Sequence, residues 1–172
     1  MSLPRFVTIL ALAAAPALAA EPSFTFRAID GGSYDSAEWR GKPVLVVNTA
    51  SLCGFAPQLA DLQALSDAYA GRAVVLAVPS DDFNQELASE SEVKEFCAVN
   101  YDLTLPMTGI EHVAKGEVHP FYAWVKAEHG FTPGWNFNKV LIGPDGEFIK
   151  GWGAVTNPGS AAITSEIDAL LK

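Results

Sequence analysis

The sequence predicts one α/β domain with a central mixed β-sheet flanked by helices. Three observations carry that prediction. Val44–Thr49 and Ala73–Val78 are continuous aliphatic runs, the pattern of strands buried on both faces. Between them Leu59, Leu62, Leu65, Ala68 and Tyr69 recur at helical spacing, so the strands flank a helix. Further on, Lys139–Ile142 and Glu147–Trp152 straddle Gly143-Pro144-Asp145-Gly146, which reads as a β-hairpin.

In chain order, Phe24–Ile29 alternates as an early strand closed by the turn Asp30-Gly31-Gly32-Ser33. Ser36–Trp39 reads as a short helical turn ending at Gly41, and Pro43 opens the central strand. That strand gives out before Cys53-Gly54, Pro57 suits the first turn of the following helix, and Gly71 ends it. The second strand stops at the polar loop Pro79–Glu86. Ser89 or Ser91 then caps a helix with Val93, Phe96, Cys97 and Asn100 along one face. Leu103–Met107 is a short extended piece, and His119-Pro120 opens a helix that Gly130 ends. Pro158–Leu171 is the final amphipathic helix, with Ile163, Ile167, Leu170 and Leu171 inward.

A right-handed crossover makes Val44–Thr49 and Val74–Val78 parallel neighbours. This β-α-β unit followed by a helix, a hairpin and a terminal helix is the layout of a thioredoxin-like fold. Ligands in such sheets bind beyond the carboxyl ends of the strands, where Cys53 and the Pro79–Glu86 loop both fall. A thiol at a strand-to-helix turn also faces free backbone N–H groups and the positive end of a helix dipole. Both favour the thiolate, the form that attacks.

The chain has 172 residues, with 20 acidic against 11 basic side chains. The excess of negative charge argues against nucleic acid and anionic membrane surfaces as partners. Residues 1–19 read as a secretory signal peptide: Arg5, the apolar run from Val7, then Ala17-Leu18-Ala19. Residues 20–172 then form the domain of an exported protein, periplasmic in a Gram-negative cell and with no membrane association after cleavage. Its two cysteines, Cys53 and Cys97, are compatible with a structural bridge or with a redox cycle.

Cysteine spacing discriminates among thioredoxin-like chemistries. A disulfide reductase carries Cys-x-x-Cys at the first turn, but the fourth position here is Ala56. A peroxiredoxin carries threonine three residues before its cysteine, where this chain has Ala50. Over nearly its whole mature length the chain instead resembles the glutathione peroxidase family. The resemblance runs through Asn48-Thr-Ala-Ser-Leu-Cys53-Gly-Phe-Ala-Pro-Gln58 and Pro79-Ser-Asp-Asp-Phe83-Asn-Gln85-Glu86. It continues through Glu95-Phe-Cys97-Ala-Val-Asn-Tyr101-Asp-Leu-Thr-Leu-Pro106-Met107, His119-Pro120-Phe-Tyr122 and Trp135-Asn136-Phe137-Asn138-Lys139.

The resemblance implies a thiol-dependent peroxidase acting on hydrogen peroxide and on organic hydroperoxides. By it, Cys53 is the peroxidatic cysteine that becomes a sulfenic acid, and Gln85, Trp135 and Asn136 are its catalytic partners. Amide and indole N–H groups are chemically apt there, because they stabilise charge on sulfur and leaving oxygen without adding a base. Phe96-Cys97-Ala-Val-Asn100-Tyr101 fits the two-cysteine branch, in which Cys97 resolves the sulfenic acid as a disulfide. That branch usually takes electrons from thioredoxin-like proteins rather than glutathione, the other expected reductant. Scarce arginine agrees, since glutathione presents two carboxylates. The alternative for Cys97 is an inert buried thiol.

The chain departs from the family in one place: Phe83-Asn84-Gln85 is one residue shorter than the usual Phe-Gly-x-Gln. Tetrameric members carry a longer insertion before Trp135, so a monomer is expected. No metal or cofactor is expected, since His112 and His129 lack partners at metal spacing. His119 reads as a helix N-terminal residue, Lys139 as a surface or second-layer residue, and Tyr101 and Tyr122 as core residues with polar tips. Two rival functions stay open: a peroxide sensor or thiol relay, and a catalytically silent exported domain with a structural disulfide.

Overall fold

The computed structural model describes residues 21–172. The expected signal peptide therefore lies outside the described residues. A four-stranded mixed sheet runs in the order β4-β3-β5-β6, made of β3 (Val44–Thr49), β4 (Val74–Pro79), β5 (Lys139–Ile142) and β6 (Phe148–Trp152). β3 and β4 are parallel from Val44↔Val74 to Thr49↔Pro79, whereas β5 lies antiparallel to both β3 and β6. The expected thioredoxin-like arrangement is thus the observed one.

Continuous apolar strands alternate their side chains between two cores. Leu45, Val47, Val75, Ala77 and Leu141 face one core together with Leu59, Leu62 and Leu65 of α1 (Gln58–Ala68). The same core takes Val93 and Cys97 of α2 (Glu90–Tyr101) and Ile163 and Ile167 of α4 (Ala161–Leu170). Val44, Val46, Leu76, Val78, Val140 and Ile142 face the other, against Phe121, Tyr122 and Val125 of α3 (Pro120–His129) and Phe26. Burying one such aliphatic or aromatic side chain contributes about 1.5–3 kcal/mol, so the two layers together fix the sheet.

Local signals set the ends. Ser89 caps α2, its hydroxyl oxygen accepting Glu92 N–H at 3.3 Å and its hydroxyl donating to Glu92 Oε2 at 2.8 Å. His119 is the N-cap of α3, with Nδ1 accepting Phe121 N–H at 3.2 Å and Pro120 at the first helical position. Gly130 closes that helix at φ +68°. Leu170 and Leu171 of the terminal helix are only partly buried, packed at the edge of the core.

Two pieces differ from the sequence reading. The early strand is shorter, β1 (Thr25–Arg27), and after the Gly31-Gly32 turn the chain returns as β2 (Ser33–Asp35). The second strand of that hairpin escapes periodicity because it has only three residues, none of them fully buried. In addition, α1 begins at Gln58, where its spacing predicts, but this leaves Cys53 five residues before the helix rather than at its N-terminus. Ala50–Pro57 instead forms consecutive tight turns, with Ala56 N–H on Cys53 O at 2.8 Å and Leu59 N–H on Ala56 O at 2.9 Å.

Candidate active site

Cys53 lies in that string of turns at the carboxyl end of β3 and is buried. It does not cap a helix as the spacing suggests; the N–H that reaches its Sγ is Phe55's, at 3.5 Å. Two bonds staple this turn to the loop after β4. Leu52 N–H donates to Gln85 O at 2.9 Å, and Ser51 N–H donates to Glu86 Oε1 at 2.9 Å.

The shortened loop still delivers Gln85. Asn84 takes the left-handed conformation at φ +56°, which asparagine tolerates better than most residues and which replaces the missing glycine step. Gln85 Oε1 then accepts Asn136 Nδ2–H at 3.0 Å. The loop is anchored from behind by Asp82. Its Oδ2 accepts the N–H groups of Val113, Ala114 and Lys115 at 2.7, 2.7 and 3.0 Å, and its Oδ1 lies 2.6 Å from His112 Nδ1. Burial pushes the Asp82 carboxyl up, but His112 and the three N–H groups outweigh it and hold it below its ordinary value.

Trp135 and Asn136 arrive from the turn before β5. Trp135 is 43% exposed, so it is a surface ring rather than core, with Phe83 5.4 Å away between centroids. Asn136 is fully buried, and its Oδ1 has no hydrogen-bond partner. Asn48 holds the turn with all four of its polar groups. Its Nδ2 donates to Trp135 O at 3.0 Å, and its Oδ1 accepts Asn138 N–H at 3.0 Å. Its backbone N–H donates to Asn138 O at 3.2 Å, and its O accepts Phe137 N–H at 2.6 Å. Phe137 is pinned here at φ +59° and fully buried, an uncommon conformation for a bulky residue.

Thus three of the four expected catalytic positions are joined by bonded segments: Cys53 through Leu52 to Gln85, and Gln85 to Asn136. Trp135 joins them through its neighbour Asn136 and through Phe83. Cys97 sits in the middle of α2, buried in the same apolar cluster as Cys53, and both thiols are free. Burial, with the Glu86 charge adding to it, pushes the Cys97 thiol up to about 12.

The sequence reading missed several residues. Asn48 announces itself only as a polar residue ending an apolar run. Lys139, expected at the surface or in the layer behind the site, is not at the surface but fully buried: its Nζ donates to Gln58 Oε1 at 2.6 Å and Ala154 O at 3.3 Å. Its place in a strand of four buried residues was the available signal. Glu86 is buried with Oε2 unpartnered, and the Tyr122 hydroxyl, expected as a polar tip, is likewise unpartnered. Among the described residues, no three His, Cys, Asp or Glu side chains group as a metal site.

A buried thiol beyond the parallel strands of this fold, in a turn bonded to the Gln85 loop, is the arrangement of a thiol oxidoreductase site. Comparison with known proteins narrows the class. A family model described as Glutathione peroxidase matches residues 22–126. Glutathione peroxidase of Lactococcus lactis subsp. cremoris is 37% identical over 149 residues, covering 83% of this chain and 94% of that protein. The Hydroperoxy fatty acid reductase gpx1 of Synechocystis is 33% identical over 163 residues, covering 86% and 94%. A crystal structure of Trgpx in apo form matches with a TM-score of 0.65 at 32% identity, covering 86% of this chain and 93% of that one. The chain belongs to the glutathione peroxidase family and is a thiol-dependent peroxidase.

Proposed function

We propose that Cys53 is the peroxidatic nucleophile, that Gln85, Trp135 and Asn136 orient and stabilise the reacting peroxide, and that Cys97 resolves the product. The observation that carries this reading is the Asn136–Gln85 bond set against the Cys53 turn, with Asn136 Oδ1 buried and free to accept. A buried acceptor without a donor calls for an explanation, and a hydroperoxide O–H supplies one.

In the first step the Cys53 thiol gives up its proton, and the thiolate attacks one peroxide oxygen. The O–O bond breaks, the departing oxygen takes a proton, and Cys53 is left as the sulfenic acid. Gln85 and Trp135 N–H groups stabilise the charge as it moves from sulfur to the leaving oxygen. In the second step the Cys97 sulfur displaces the sulfenic hydroxyl as water and forms a disulfide. A dithiol of a thioredoxin-like protein then returns both sulfurs to thiols by exchange; glutathione is the second candidate reductant. The exposed Leu52 and Trp135 beside the site favour organic as well as hydrogen peroxide, in line with the name of the Synechocystis relative.

Residues 1–19 support export, and the protein acts outside the cytoplasm as a monomer. Fractionation and the mass of the mature chain check the first point; light scattering checks the second. The chemical reading is tested by adding one equivalent of hydrogen peroxide to the fully reduced protein and mapping its peptides. A Cys53–Cys97 disulfide is expected. A stable sulfenic or sulfinic acid at Cys53 with Cys97 still free assigns resolution to an external thiol instead.

A further inference from the structure

A resolving thiol must lose its proton as the S–S bond forms, and Cys97 is almost wholly buried at the edge of a surface cavity. It is buried in α2 and its thiol is held protonated well above neutral pH. A group inside the protein that can change charge is suited to take that proton.

Glu86 is a buried carboxyl bonded to the Cys53 turn. It is buried at the end of the Pro79–Glu86 loop. Its Oε1 accepts Ser51 N–H at 2.9 Å and Leu87 N–H at 2.8 Å, which ties it to the Cys53 turn two residues from the nucleophile. No full hydrogen bond reaches its Oε2 or the Ser51 hydroxyl on the same turn, although that hydroxyl lies close enough to help hold the carboxyl down. On the other side, Leu87 shares a surface groove with Phe96, the neighbour of Cys97. The Glu86 charge also bears on the Cys97 thiol directly. Native proteins seldom leave a buried carboxylate oxygen orphaned, and catalytic use is one of the few reasons for keeping it so. Burial raises the Glu86 carboxyl above its ordinary value, only partly offset by its bonds to Ser51 and Leu87. Asp81, whose Oδ1 accepts Glu86 N–H at 3.1 Å, adds its negative charge to the burial that raises the carboxyl.

We propose that Glu86 is the internal acid–base residue of the resolution step, a role that rests on Cys97 being the resolving cysteine. The Glu86 carboxylate takes the Cys97 proton as the Cys97 sulfur attacks Cys53. The Cys53 S–OH bond breaks as the S–S bond forms. The departing hydroxyl receives the proton from Glu86 and leaves as water, restoring the carboxylate. Sulfur supplies and receives all the electrons, so no further reactant is needed.

The test is a quenched-flow time course on reduced protein with one equivalent of hydrogen peroxide, alkylated and read by mass spectrometry. Sulfenic acid formation and disulfide formation appear as separate phases. Glu86→Gln keeps the acceptor for Ser51 and Leu87 N–H but cannot carry a proton. It is expected to slow the second phase relative to the first by about a hundredfold. It is also expected to flatten a second-phase rate that, in the parent protein, rises with pH as the carboxyl ionises. Glu86→Asp restores part of the ratio and the pH dependence. An unchanged ratio of phases in Glu86→Gln overturns the proposal. So does equal slowing of both phases, which marks Glu86 as a loop brace. Absence of any disulfide in the unsubstituted protein overturns the assignment of Cys97 and this proposal with it, and is recognised because no substitution is present.

Discussion

Lys139→Met is the substitution whose effect is best set by the structure. The ammonium is fully buried and is met by two carbonyl oxygens, of Gln58 and Ala154, with no carboxylate bonded to it. Burial accordingly lowers the group from its ordinary 10.5 to about 8, with Asp61 offsetting a little. In the unfolded chain the lysine holds its proton up to its ordinary value; in the folded chain it gives the proton up about 2.5 pH units earlier. The folded state therefore binds fewer protons between pH 8 and 10.5, and stability rises with pH across that window. At about 1.36 kcal/mol per pKa unit, carrying the charge inside costs roughly 3 kcal/mol below pH 8 and nothing above 10.5. Methionine removes this cost and leaves Gln58 Oε1 without a donor, a penalty of about 1–3 kcal/mol that does not vary with pH. Urea unfolding of both proteins at pH 7.5 and 10.5 checks the reasoning. The variant should lose about 3 kcal/mol of relative stability between the two. Taking the difference cancels the opposing titrations of Cys97 and Tyr122, which burial raises. A difference independent of pH would refute the assignment of a penalised buried ammonium.

Other outcomes follow from single contacts. Asn48→Asp replaces the donor to Trp135 O by an acceptor and should slow Cys53 oxidation about tenfold or more. If Asn48 acts by placing Asn136, the substitution has little further effect in an Asn136→Ala background, which stopped-flow kinetics on the four proteins of the cycle will reveal. Asn136→Ala itself leaves Gln85 Oε1 unpaired and should cost about 10²–10³ in the peroxide step, measured as the second-order rate constant. Leu62→Ala empties a fully buried position between α1 and the sheet and should destabilise the fold by about 2–5 kcal/mol in urea, with the rate constant nearly unchanged.

How far the sequence reaches depends on the kind of signal. The buried strands and the helices follow from hydrophobic periodicity, because burial on one or two faces dictates the residue types directly. The convergence of Cys53 and the Pro79–Glu86 loop follows from crossover handedness alone, and the structure joins them through Leu52 and Ser51. What periodicity cannot show is a residue whose role is to satisfy other groups. Asn48 and Lys139 both sit in largely apolar strands, and only tertiary contact reveals that Asn48 holds the Trp135 carbonyl and Lys139 the Gln58 side chain at the start of α1. The tight turn at Cys53 and the helix from Gln58 are both legible, but the distance between the thiol and the helix N-terminus is not. A proline is compatible with the first helical turn, but the chain spends Ala50–Pro57 in tight turns before the α-helical ladder begins. Gln85 shows the converse: a missing residue is absorbed by one backbone angle at Asn84.

The central claim is that peroxide is reduced at the Cys53 sulfur. Peroxide consumption under excess dithiothreitol, followed for the parent protein, Cys53→Ser and Cys97→Ser, tests it most directly. The account predicts no consumption above background for Cys53→Ser. For Cys97→Ser it predicts oxidation of Cys53 followed by turnover through the small dithiol. Undiminished peroxide consumption by Cys53→Ser would contradict it.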